Sequence, residues 1–400
     1  MDEVPQFHRA AVVRVRSLLP FLLALQSRQL MKFSRPQRSD SGFQFTVRQV
    51  PTPNPRPWQV LVKLFATGIC GTDAALASGH AAPARDILGH EGVGRVVKIG
   101  TGIDPGTVRL GDRVGIAWVR DICGRCPCCR EPGGETRCLE QWNSGRKWDG
   151  TFAEYCVVPG RYLLVLPDSD GLADEMVAPI LCGGVTAYKA LKACGALPGE
   201  WEAVVGTGGV GGLAIQYARA MGYRVAAVDV GREKEESSLT AGAHAYFDAL
   251  DEDVASHLRV LTCGTAAKAV VVTAGSSGAY QTSIDLVGVF GTLVCVGIPP
   301  PEGTMTIHPL LLIDRGITVL GTLAGTRTET LEALEFVRIG AVKPLVTIVG
   351  LEKVGEVLEK LGTVRTRKSF LLKVPAELIL CSGPENMSCG SNCPFETDLR

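Results

Sequence analysis

Apolar positions along the chain follow two rhythms, and the change between them falls near residue 183. Before that point, short apolar runs alternate with polar residues or cluster briefly and then stop at Gly, Pro or Asp, which is the pattern of strands. Residues 7–13 (Phe-His-Arg-Ala-Ala-Val-Val) open one strand, and residues 43–50 (Phe-Gln-Phe-Thr-Val-Arg-Gln-Val) alternate as a half-buried strand does. Between them, residues 16–41 carry Ser, Arg, Pro and Gln with no periodicity beyond the apolar run Leu18–Leu25, so an insertion or a loop outside the core is expected. Prolines at 51, 53, 55 and 57 lead into a strand at Val60–Leu64, and further strands are expected at Val93–Ile99, Arg113–Ala117 and Phe152–Val158. Few helical patterns interrupt them, so this part reads as β-rich.

Beyond residue 183, strands and helices alternate. Ala203–Val205 reads as a short buried strand, Gly212–Met221 as an amphipathic helix, and Arg224–Val228 as a second strand ending at Asp229. Val270–Thr273 and Thr292–Val296 are continuous apolar runs of the kind buried on both faces of a parallel sheet. The pattern predicts a doubly wound parallel sheet. A helix over Thr328–Ile339 and a last strand over Ser369–Val374 are expected to return to the first domain, and residues 375–400, with Cys381, Cys389 and Cys393 among Gly, Ser, Pro and Asn, read as a tail. The expected division is 1–182, 183–323, 324–374 as the return, and 375–400; no internal repeat is visible.

Composition narrows the functional classes. At 400 residues, 46% hydrophobic and 20% charged, the chain can bury a sizeable core. Lys plus Arg and Asp plus Glu number 41 each, so no net field favours nucleic acid or an anionic membrane, and neither is expected as a partner. Leu18–Leu25 is far shorter than the roughly 20 residues of a membrane span. The arginines and lysine around it resemble a transit peptide, against which Asp2 and Glu3 count. Fourteen cysteines spread over so long a chain suit a reducing compartment better than a disulfide framework, so the cytoplasm is expected, with import into mitochondria left open.

Three groups of residues carry candidate chemistry. Gly206, Gly208 and Gly211, with Gly209 and Val210 between them, follow a strand and open a helix, where backbone N–H groups and the helix dipole can hold a pyrophosphate. Asp229 at the end of the next strand can accept both ribose hydroxyls of NAD, whereas the 2′-phosphate of NADP would meet like charge there. Cys123, Cys126 and Cys129 at two-residue intervals, followed by Cys138, have the spacing of a closed four-thiolate zinc site, with Cys128 competing as the third ligand. Cys70, His90 and Cys182 together make a two-thiolate, one-imidazole set that leaves a zinc ion one open position, and Glu91 beside His90 is placed to tune such a metal.

The segment Gly89-His90-Glu91-x-x-Gly94, with Gly100 and Ile103 after it, resembles the signature of zinc-containing alcohol dehydrogenases of the medium-chain dehydrogenase/reductase family, whose catalytic zinc is known for this donor set. The four-cysteine lobe, residues 177–192 and the Gly206–Lys234 region are similar to the fungal and yeast branch. The resemblance implies an α/β protein: a GroES-like β-rich catalytic domain, a Rossmann domain, and a cleft between them for alcohol and NAD. It also implies two zinc ions per chain, the catalytic one on Cys70, His90 and Cys182 and the structural one on Cys123, Cys126, Cys129 and Cys138. Thr72 would hydrogen-bond the substrate hydroxyl, Glu91 would support the metal, and Trp118 would line the substrate pocket. Asp229 and Lys234 would hold the adenosine ribose, Thr186 would contact the nicotinamide side, and Val296 and Ile298 would complete the cofactor site. The expected activity is hydride transfer between a small alcohol or aldehyde and NAD, in a homo-oligomer of two or four subunits. The alternatives are a polyol or aromatic-alcohol dehydrogenase of the same mechanism and a non-catalytic protein that binds zinc and dinucleotide. The chain also departs from the family. The cysteine lobe is one residue longer between Cys129 and Cys138. Gly71 replaces a basic side chain near the pyrophosphate, Ala75 a histidine that passes the alcohol proton to solvent, and Ala81 a bulky pocket residue. Arg365 or Arg367 stands for the phosphate-binding arginine. Residues 16–41 and 375–400 have no counterpart.

Overall fold

The computed structural model describes residues 4–15, 43–79, 81, 84–168, 171–250, 253–363 and 369–373. The readings of residues 16–41, of the 375–400 tail and of Arg365 and Arg367 lie outside these residues. Strands β1 (Phe7–Val15) and β2 (Phe43–Pro51) pair antiparallel over their whole length, with Phe7 opposite Pro51 and Val15 opposite Phe43. The long stretch between them therefore joins two strand ends that already face each other.

A mixed sheet follows. Strand β3 (Gln59–Ile69) is its spine, with β4 (Gly92–Ile99) and then β5 (Arg113–Ile116) on one side. Strands β6 (Val119–Asp121) and β7 (Trp142–Asn143) form a separate small pair. Strand β8 (Tyr155–Pro159) adds to β3, and β9 (Leu164–Val165) closes the edge at β5. β3 is buried on both faces because three apolar clusters meet along it, through Val60, Val62 and Leu64, then Ala66, then Ile69. This explains why it reads as a continuous apolar run rather than an alternating one. Two details differ from the expected pattern. β8 begins at Tyr155, because Phe152 turns inward under Gly89 instead of extending the ladder. A short helix, α1 (Gly71–Ala77), follows β3 where no helix was expected; the Cys70 N–H donates to Asp73 Oδ2 (3.0 Å) and holds its first turn.

The second sheet is fully parallel. Helix α2 (Gly183–Ala193) leads to β10 (Trp201–Val205), α3 (Gly209–Ala220) and β11 (Arg224–Asp229), and then β12 (Ala245–Asp248), β13 (Ala267–Val272), β14 (Val287–Cys295) and β15 (Thr318–Gly321) complete the order β12-β11-β10-β13-β14-β15. The order reverses beside β10, so the carboxyl ends of β10 and β13 open the crevice in which such sheets take ligands. Helix α4 (Arg327–Arg338), capped by Thr326 and Glu329, brings the chain back. Strand β16 (Val346–Val349), helix α5 (Val354–Thr363) and strand β17 (Ser369–Lys373) follow, and β17 pairs antiparallel with β3. One apolar core joins the two sheets: Ala66, Val93 and Leu164 of the first share it with Val204 of the second and Ala214 of α3, together with Ile180, Leu181 and Leu191.

Candidate active site

Three chain segments distant in sequence converge beside this shared core. Cys70 follows β3, His90 precedes β4, and Cys182 sits at the start of α2. The Cys70 and Cys182 sulfurs stand 4.0 Å apart. The donor atoms of Cys70, His90, Glu91 and Cys182 all lie within 4.8 Å of one another. Glu91 is buried in this cluster because residue 68 is glycine: a Cβ there would collide with Glu91 Oε2. Gly89, at φ +97°, makes the turn that presents His90, and a side chain on it would run into the Phe152 ring.

Asp73, fully buried, holds the imidazole in place. Its Oδ1 lies 3.0 Å from His90 Nδ1 and accepts from the Gly89 N–H at 3.1 Å. With Nδ1 engaged, His90 Nε2 is left buried without a hydrogen-bond partner. Burial opposes charge on the ring, but Asp73 and, after it, Cys70 outweigh it and raise the basicity of the imidazole. The hydrogen bond with Cys182 draws the Cys70 thiol well below the ordinary range, while the same bond pushes Cys182 well above it; burial raises Glu91. The Trp118 ring meets the His90 ring edge to face at 5.4 Å. Thr72, half-buried, lies in the first turn of α1, and Thr186 lies in the first turn of α2, its N–H donating to the Cys182 carbonyl at 3.0 Å. Asp73 and Gly68 were missed as functional residues. The signal was there: a carboxylate three residues past Cys70, at the start of a helix too short to show periodicity.

The glycine turn lies at the crevice between β10 and β13. Gly206 has φ +90°, and α3 packs so closely that a Cβ on Gly211 would strike the Gly206 carbonyl. Gly208 caps α3, Gly209 and Val210 begin it, and no side chain covers its first N–H groups. Asp229, 6% exposed, accepts from the Thr207 N–H (2.7 Å) and hydroxyl (2.9 Å), the Val230 N–H (2.7 Å) and Lys234 Nζ (2.8 Å). Burial would raise this carboxyl, but Lys234 and the two N–H groups hold it below the usual range. All four acceptor positions of Asp229 are thus in use, and ribose hydroxyls would have to displace one of these donors. Val296 is half-buried, with its N–H on the Val272 carbonyl (3.1 Å), and Ile298 is 79% exposed beyond it.

The second cysteine group is local. The sulfurs of Cys123, Cys126, Cys129 and Cys138 lie within 4.8 Å of one another, and Cys128 is not among them. Cys123 Sγ accepts the Cys126 N–H and Cys138 Sγ the Cys123 N–H, both at 3.3 Å. The Leu139 N–H draws Cys126 down to about 6, and burial pushes Cys129 up to about 12. Lys189 of α2 fastens the lobe to the body, 3.2 Å from the Gly133 carbonyl and 3.3 Å from Glu329 Oε2.

Residues 56–168 match the family described as the alcohol dehydrogenase GroES-like domain, and residues 209–338 match the zinc-binding dehydrogenases. An alcohol dehydrogenase of Geobacillus stearothermophilus is 39% identical over 331 residues, covering 82% of this chain and 95% of the relative. The chain belongs to the zinc-type alcohol dehydrogenases. Alcohol dehydrogenase 2 of Emericella nidulans is 37% identical over 315 residues, 74% of this dehydrogenase and 85% of the fungal one, so both bacterial and fungal relatives match and neither branch is singled out. Among solved structures, acetophenone reductase from Geotrichum candidum in complex with NAD superposes with a TM-score of 0.76 at 26% identity, over 93% of this chain and 99% of that one. The CAD of Helicobacter pylori complexed with NADP(H), at 21% identity, shares the fold with a TM-score of 0.72 over 92% and 98% of the two chains. Membership of this family makes the dehydrogenase a zinc-dependent alcohol oxidoreductase with a nicotinamide cofactor, and the described residues contain no helix long and apolar enough to cross a membrane.

Proposed function

We propose that the enzyme oxidises a small alcohol with NAD at a zinc held by Cys70, His90 and Cys182, and that a second zinc sits in the lobe of Cys123, Cys126, Cys129 and Cys138. The observation that carries this reading is His90 Nε2, buried without a partner in a cluster with two thiols and a carboxyl group. A buried polar atom of that kind is costly unless something binds it, and two sulfurs and an imidazole are a donor set suited to zinc. Bound there, zinc supplies the Lewis acidity that makes an alcohol hydroxyl acidic near neutral pH.

The chain's own residues do the rest. Asp73 fixes the imidazole tautomer, as carboxylates do behind metal-binding histidines. The Thr72 hydroxyl accepts the alcohol's proton as it hands its own on to water, and Trp118 walls the pocket beside His90. The uncovered N–H groups of α3 hold the pyrophosphate, Thr186 orients the nicotinamide end, and Asp229 with Lys234 reads the ribose. NAD held along this cleft by these residues would supply the hydride acceptor for the alcohol carbon. A homo-oligomer is supported by the open edge at β15, where Val319 is exposed, and by the exposed Val289 and Phe290 of β14 and Leu310 and Ile313 of the helix Pro309–Arg315 that precedes β15. The thiolate sites suit a reducing cytoplasm.

The test is zinc content together with NAD and NADP reduction across primary, secondary, aromatic and polyhydric alcohols. Two zinc ions per chain and NAD turnover support the reading; turnover indifferent to zinc removal contradicts it. Asp229→Gly removes charge-assisted hydrogen bonds of about 1.5 to 3 kcal/mol each and the repulsion of a phosphate, so the NAD to NADP ratio of kcat/KM should fall by about tenfold or more. An unchanged ratio would mean that Asp229 does not read the ribose.

A further inference from the structure

A groove of about 910 Å³ opens on the catalytic domain, and none of the residues of the Cys70–His90–Cys182 cluster or the glycine turn lines it. Three buried polar side chains lie in its wall, and one of them, Gln59, accepts the Arg56 N–H at 3.0 Å. Arg120, 2% exposed, donates from Nε to Ser144 Oγ (3.0 Å) and from Nη1 to the carbonyls of Asp149 (2.7 Å) and Val157 (3.2 Å), while its Nη2 has no partner. Its hydrogen-bond partners are thus neutral oxygens, and the Asp149 carboxylate acts on it through its charge without a direct hydrogen bond or ion pair. His8, 3% exposed, has Nδ1 3.3 Å from Thr52 Oγ1 and an unpartnered Nε2. Burial holds this imidazole neutral by lowering its basicity, so either nitrogen can carry a donated hydrogen.

A buried guanidinium with one nitrogen unpartnered is costly to keep, and an oxyanion oxygen is an acceptor suited to that nitrogen. The rim adds to the field: Arg48, Arg56 and Lys147 are exposed there, while of the two lining acids Asp149 is already paired with Arg85 (3.2 Å). Trp142 and Trp148, ring centroids 5.4 Å apart, give one end an aromatic wall. We propose that this groove is a second ligand site, taking a small molecule that bears a phosphate or carboxylate group, with Arg120 and the rim arginines facing the anion. Nothing in the alcohol chemistry uses these residues.

Inorganic phosphate and citrate, each titrated at constant ionic strength against chloride, test the site, and the tighter of the two names the head group. The proposal expects a saturable rise in melting temperature with a midpoint in roughly the millimolar range. The rise should persist with NAD at saturation. The double variant Arg48→Glu, Lys147→Glu, both positions exposed, should move that midpoint by at least about tenfold while leaving alcohol turnover in anion-free buffer unchanged. Arg120→Met should remove the response, and the rim variant decides the matter if that protein does not fold. No saturable response to either anion, an unmoved midpoint in the rim variant, or a response abolished by NAD would overturn the proposal; the last would assign the anion to the glycine turn.

Discussion

The two cysteine clusters of this enzyme use the same element of chemistry and are built in opposite ways. Cys123, Cys126, Cys129 and Cys138 come from one short stretch, lie in a lobe at the surface, and face each other by local backbone geometry. Cys70, His90, Glu91 and Cys182 come from three segments that meet only once both sheets are packed, and their geometry is enforced by buried neighbours: Asp73 behind the imidazole, the missing side chain at Gly68, and Trp118 against the ring. Four local thiolates saturate a tetrahedral metal and leave nothing for a substrate, whereas two thiolates and one imidazole leave a position open. A closed set should therefore act on stability and an open set on chemistry.

Substitutions can break that division at either end. Cys182→Ser removes a donor from the open set and should cost about 10³-fold or more in kcat, with the melting temperature within about 2 °C of the parent; retained turnover would mean that Cys182 is only a core thiol. Cys126→Ser should release one zinc and lower the melting temperature by about 5 °C or more while kcat per folded enzyme changes less than about threefold, because a closed site contributes to folding. Lost turnover at an unchanged melting temperature would place Cys126 in the chemistry. Asp73→Asn keeps the shape but removes the charge behind His90, and zinc affinity at that site should fall about 10 to 100-fold, read by competition with a chelator. Equal affinities would leave Asp73 a mere helix cap.

How much of this was legible in the sequence follows the same division. The cysteine lobe could be read from spacing alone, and what spacing left open, Cys129 against Cys128, is decided by which sulfur turns inward. The parallel sheet was equally visible, because strands buried on both faces write continuous apolar runs such as Val270–Val272 and the glycine turn marks where the first strand ends. The Cys70–His90–Cys182 cluster needed pairing by residue type across more than a hundred positions. Its supports stayed hidden, since Asp73 looks like any polar residue in a short helix and Gly68 like any strand glycine until Glu91 is seen against it. Asp229 shows the converse: its position was readable, but not that Thr207, Val230 and Lys234 already engage both of its oxygens.

The smallest expected effect concerns Ala75, in α1 one turn from Thr72, where the family resemblance of the sequence implies a proton-passing histidine. Alanine cannot relay a proton, so alcohol oxidation should rise from neutral to alkaline pH. Ala75→His places a group of ordinary pKa about 6.5 there; it is deprotonated and able to accept above that value, so kcat near pH 7 should rise a few-fold to about tenfold, with little gain at pH 9. Superimposable profiles, with a deuterated alcohol confirming that hydride transfer limits the rate, would mean that the proton leaves by another route.

The division itself is tested most directly by stepwise chelation of the purified enzyme, following zinc release, turnover and melting temperature on the same samples. Two zinc ions should leave in separate phases, with turnover falling in step with one and the melting temperature in step with the other. If both properties fall with the same zinc, or if neither follows zinc, the assignment of chemistry to the open cluster and stability to the closed one is wrong.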